Sequence, residues 1–167
     1  MPYIFIGLAE SFDTFEALAA SSTLVIVGTA GVQETVMEEH TRPGRVSVPS
    51  PTVDSTISDF SVERSLIGTA PATSRVIQPG GVGPDGTVWD VDHFPLFTPG
   101  DRYLLFLTHL DRPGFSPDLY APVGCYQGVF TVDDQGLVNP LSALWIKVKD
   151  MPLEDVVAAI QRGLRNA

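Results

Sequence analysis

Short apolar runs separated by proline- and glycine-rich stretches dominate the chain, the pattern of strands joined by turns. TLVIVGTAGV, over 23–32, predicts a buried strand. Gly28 and Gly31 inside it predict a bulge or sharp bend, which a sheet needs in order to curl on itself. STISDFSVERSLIG, over 55–68, alternates cleanly. Phe60, Val62 and Leu66 share one face, and Asp59, Ser61, Glu63 and Ser65 share the other, so this strand has one wet side. SRVIQPGG, over 74–81, predicts a shorter strand. In PLFTPGDRYLLFL, over 95–107, a turn at Pro99 and Gly100 releases the nearly unbroken apolar run 103–107. Such a run belongs in the middle of a sheet, with core on one side and a packed helix on the other.

Further along, GCYQGVFTVDDQGLV (124–138) sets Tyr126, Phe130 and Val132 against Gln127, Thr131 and Asp133, and DDQG turns the chain as a hairpin. Residues 145–148 add a last short strand. The proline-bearing stretches 38–52 and 111–122 read as loops. Two helices flank the strands. SFDTFEALAA predicts one over 11–20, capped by Ser11 or Asp13, with Phe12, Phe15, Leu18 and Ala19 on one face. The second runs over 152–165, where Leu153, Val156, Val157, Ile160 and Leu164 form a stripe at helical spacing. Glu154 and Asp155 sit at its positive end and Arg162 and Arg165 at its negative end. The expectation is a mainly β, five-stranded OB-like barrel over 23–149 within a single domain spanning 1–167, its open ends plugged by the two helices.

The net charge of −10, from 20 acidic against 10 basic residues, repels a phosphate backbone and argues against nucleic acid as a partner. Cys125 is the sole cysteine, which excludes an intramolecular disulfide and a cysteine-based zinc cluster. No apolar run approaches the ~20 residues of a membrane helix. MPYIFIGLAESF has no basic region and too short an apolar core for a signal peptide, so the expectation from the residues is a cytoplasmic protein or a mature or truncated form.

The series LVIVGTA, FSVERSLIG, RVIQPGG, GDRYLLFL and YQGVFTVDDQGLV resembles an uncharacterised family of bacterial, largely extracytoplasmic domains. More distantly it resembles the netrin-like module shared with the tissue inhibitors of metalloproteinases, a five-stranded OB-type barrel. The resemblance covers roughly 12–138 by the element order such barrels require. It implies the barrel and an extracytoplasmic location. It does not imply zinc-chelating inhibition, because the chain starts Met1, Pro2, Tyr3 and has no cysteine before Cys125.

Several constellations invite chemistry. Gly81, Gly83 and Gly86 satisfy G-x-G-x-x-G after a strand, but Pro84 removes a donor and no helical period follows, so a glycine-rich turn is expected. Asp90, Asp92 and His93, with Asp85 nearby, carry hard ligands at i and i+2; without a following EF-hand spacing they read as a solvated acidic loop. Cys125, between Gly124 and Tyr126, reads as core filling in a strand, with a thiolate paired to His109 or His93 as the reactive alternative. Nucleophile-elbow, zincin and P-loop patterns are absent.

No catalytic set or cofactor is therefore expected. The favoured function is a non-catalytic module that binds a protein partner. An enzyme using Cys125 or the acidic 85–93 loop is the alternative, and a nucleic-acid-binding OB domain the third. By analogy with OB barrels, the contact loops are 38–52, with Arg42 and Arg45, and 109–122, with Arg112, Phe115 and Tyr120.

Overall fold

The computed structural model describes residues 3–4, 12–37, 53–91, 94–110, 118–141 and 148–165. In chain order the elements are β1 (Tyr3–Ile4), α1 (Phe15–Ala20), β2 (Leu24–Met37), β3 (Val53–Ile67), β4 (Thr73–Pro79), β5 (Gly81–Val82), β6 (Val88–Val91) and β7 (Arg102–His109). They continue with β8 (Leu119–Pro122), a 3₁₀ turn (Cys125–Gly128), β9 (Val129–Val132), β10 (Leu137–Pro140), β11 (Met151–Pro152) and α2 (Leu153–Arg165).

Five of these strands close a barrel. β7 pairs with β2, β2 with β3, β3 with β4, β4 with β8 in parallel, and β8 returns to β7. The far edge of β7 is shared: Tyr103, Leu104 and Leu105 pair with β9, and Leu107, Thr108 and His109 pair with β8. The ring order and the parallel pairing make the barrel OB-like, as expected. Its fifth stave is not the predicted one. Residues 119–122, expected to be loop, close the ring, whereas 125–128 form a 3₁₀ turn rather than a strand. The DDQG hairpin is present: Asp133 Oδ1 accepts from Gln135 and Leu137 N–H, and β9 and β10 pair antiparallel. Residues 145–147 of the expected last strand lie outside the described residues.

Bulges give the barrel its curvature. Ala30 pairs with Phe60 and Gln33 with Ser58, so Gly31 and Val32 together oppose Asp59. Gly28 meets the facing strand so closely that a Cβ there would lie 2.8 Å from Ser61 O. On β3, register slips leave Glu63 and Leu66 as extra residues. A one-residue slip carries following side chains to the other face. Phe60 and Val62 accordingly face the barrel interior, while Leu66, expected on their face, packs outside against the helices.

The apolar run of β7 is enclosed on both sides. Tyr103, Leu105 and Leu107 point inward with Leu24, Ile26, Phe60 and Val76. Leu104 and Phe106 point outward with Val25 and Val27, under Phe15 and Leu18 of α1 and Val156 and Ile160 of α2. The helices therefore lie on the outer wall instead of plugging the ends. The interior is filled by the segment before β7, whose Phe94 and Phe97 enter among Phe60 and Tyr103. Polar side chains fix that segment. Gln78 accepts from Phe97 N–H and donates to Pro95 O, Gln33 donates to Phe97 O, and Tyr103 Oη accepts from Thr98 N–H.

α1 is shorter than its apolar pattern, because Thr14 rather than Ser11 or Asp13 is the N-cap and accepts from Ala17 N–H. Ahead of β11 and α2, Asp150 adopts a left-handed φ of 52°. Asp150 N–H donates to Asn139 Oδ1, Asn139 Nδ2 donates back to Asp150 Oδ1, and Leu153 N–H reaches Gly136 O. These bonds set the helix against the β9–β10 hairpin. Val156, Val157 and Ile160 are buried as expected, but Leu164 is exposed.

Candidate functional site

The glycine-rich stretch is a turn. Gly86 N–H donates to Gly83 O and Gly83 N–H to Thr87 O, joining β5 to β6 with no helix after it. Asp85 belongs to the same turn. Its carboxylate accepts from Thr87 N–H, which holds its pKa below the usual carboxylate value. Asp90 falls in β6, in register with Tyr3 of β1; Asp92 and His93 lie outside the described residues. Among the described residues no three His, Cys, Asp or Glu side chains are grouped to hold a metal.

Cys125 is half-buried at the start of the 3₁₀ turn, with a left-handed φ of 59°, rather than fully buried in a strand. Burial pushes its thiol pKa up, opposite to the shift a nucleophilic cysteine needs. His109, named as a partner for it, sits on β7 edge-to-face with Tyr120, the ring centroids 5.5 Å apart.

Of the residues assigned to a binding face, Arg42, Arg45, Arg112 and Phe115 lie outside the described residues. Tyr120 does not hang from a loop. It is in β8, opposite His109 in register, and packs partly on the interior cluster. It is a stave of the barrel wall, so its removal loosens the fold as well as any contact.

A concave site lies elsewhere, between α1 and α2. The helices touch where Gly163 lacks a side chain: a Cβ there would lie 3.0 Å from Glu16 Cα. Beside this contact opens a groove of about 430 Å³. Its apolar surface comes from Phe15, Val148, Met151 and the small residues Ala158 and Ala159. Asp13, just ahead of α1, and Glu16 in its first turn border it on one side, and Asp155 and Arg162 from α2 on the other. Asp155, Ala158, Ala159 and Arg162 follow the i, i+3, i+4, i+7 spacing of one helical face. That spacing is the signal by which the sequence could have shown this wall; Asp155 and Arg162 read instead as partners of the helix dipole.

The charges of the groove differ from those on the barrel wall. Arg64 meets Glu154 at 2.6 Å, Arg75 meets Glu34 at 2.8 Å, and Arg102 grips Glu63 through both carboxylate oxygens. Among the described residues, Asp13, Glu16, Asp155 and Arg162 have no such ion pair. Small side chains and an apolar floor leave room for a ligand side chain, and the rim charges are free to meet it.

Compared with protein-family models and with curated proteins, the chain matches none. No helix among the described residues is long and apolar enough to cross a membrane.

Proposed function

We propose that this protein is a non-catalytic recognition module that holds a peptide segment of a protein partner in the groove between α1 and α2. The groove itself carries the reading: an open, mostly apolar concavity with unpaired charges at its rim, built on two helices that the barrel wall holds in place. Side-chain-sized recesses with a few polar groups around an apolar floor are how peptide segments are usually bound. The raised thiol pKa of Cys125 also favours binding over nucleophilic catalysis. The resemblance to netrin-like domains adds an extracytoplasmic location to the proposal, with residues 38–52 and 110–118 as a second contact region.

A displayed random-peptide library selected on the protein tests the reading. Selected peptides should bind the wild type and lose at least roughly tenfold affinity for Ala158→Phe, which fills the groove from a half-exposed position, with the melting temperature unchanged. Recovery of peptides that bind both proteins equally would move the site elsewhere. Substrate turnover abolished by Cys125→Ala would replace the reading with the enzyme alternative, and salt-sensitive capture of single-stranded DNA would replace it with the nucleic-acid one.

A further inference from the structure

The groove's charges point to the chemistry of its occupant. Resting on the peptide-binding reading, we infer that the bound segment is cationic and amphipathic, with aliphatic side chains against Ala158, Ala159 and Met151 and lysine or arginine side chains facing Asp13, Glu16 and Asp155.

Three carboxylates and one guanidinium border the groove. Arg64, Arg75 and Arg102 each have an acidic partner, whereas among the described residues Asp13, Glu16 and Asp155 have no ion pair and border one apolar groove, so an incoming cation meets all three together. Their position matters more than their number. Asp13 and Glu16 stand on one bank and Asp155 on the other, so a cation entering between the helices meets negative charge from both sides. An acidic segment meets the same carboxylates as like charges, which suppresses the wrong partner. The apolar floor supplies what charge alone does not: it removes aliphatic surface from water and selects a segment that alternates apolar with basic residues. Arg162, on the same helical face as Asp155 but about 10 Å along it, works against a cation. Its removal therefore has the opposite sign to removal of the acids.

Fluorescence anisotropy with three short labelled peptides tests this: leucine alternating with lysine, with serine, or with glutamate. The lysine peptide should bind most tightly. Asp13→Asn, Glu16→Gln and Asp155→Asn together should weaken it roughly tenfold, and Arg162→Gln should tighten it. The melting temperature of each variant shows that the fold is kept. Because the whole chain is acidic, a control removes two exposed carboxylates away from the groove, Asp101→Asn and Asp134→Asn, and should change little. If the serine or glutamate peptide binds as well as the lysine peptide, or if the control weakens binding as much as the groove variant, the cationic assignment falls while the groove remains a peptide site. If the lysine peptide binds Ala158→Phe as well as wild type, or if none of the three peptides binds, the groove reading falls with it.

Discussion

Gln78 and Phe97 hold one another inside the barrel. The Phe97 N–H donates to Gln78 Oε1 at 2.9 Å, and the Gln78 amide donates to Pro95 O at 3.1 Å. One glutamine thereby ties β4 to the segment that fills the interior, and its side chain is almost wholly buried.

Replacing it with leucine keeps most of the volume but leaves the Phe97 N–H and the Pro95 carbonyl without that partner. An orphaned buried polar group costs about 1–3 kcal/mol. Gln78→Leu should lower unfolding stability by at least that amount in urea titration, despite the greater hydrophobicity of leucine. Unchanged stability would mean that the interior segment is not fixed through Gln78.

Gly163 permits the helix crossing. Intrinsic propensity favours alanine over a helical glycine by about 1 kcal/mol and valine by less, and Gly163→Val should destabilise the protein by about 1–3 kcal/mol, as overpacked contacts do. The added side chain must push against Glu16 backbone and Cβ. Denaturant midpoints for the alanine and valine variants measure how far α1 can give way; equal or higher stability for the valine variant would contradict the close contact.

Ile160 is 1% exposed in the cluster under the helices. Ile160→Ala should cost about 2–5 kcal/mol, whereas Leu164→Ala, at an exposed position of the same apolar stripe, should stay within about 0.5 kcal/mol. Thermal melts of the two variants check the contrast, and similar losses would place Leu164 in the core.

Burial raises the Cys125 pKa by disfavouring its thiolate. A folded-state pKa above the unfolded one contributes stability that is fully present below the unfolded value of about 8.5 and is lost as pH rises through the folded value. Alkylation of the native protein should therefore be slow at neutral pH, with its midpoint above that of a free cysteine, and denaturant should speed it. Rapid native labelling with an acidic midpoint would contradict the burial effect.

The central staves were legible because burial on both faces leaves an unbroken apolar run, as in β7, and because alternation marks a wet face, as in the middle of β3. β8 was hidden. Its four residues lie within a proline-rich stretch, and Pro122 ends it, so local composition pointed to a loop while pairing with both β4 and β7 made a strand. Leu66 was misplaced for a related reason: the sequence period is two, and only the partner strand reveals where a bulge resets it. The groove escaped because it depends on two helices that are distant in sequence. Asp155 and Arg162 have a sufficient local explanation as helix-end charges, and the pattern of α2 alone does not show that Glu16 lies across from Gly163.

The short β8 also sets an order of events during synthesis. β2, β3 and β4 are consecutive and can pair as they leave the ribosome, but β2 must then wait for β7; Thr23 and Leu107, which meet at its start, are 84 residues apart. The ring stays open until residues 119–122 emerge and bridge β4 to β7. Until then the nascent chain presents unpaired strand edges, the state in which a β protein is most exposed to pairing with a neighbour. Four residues near the end of the barrel thus decide when its ring can close.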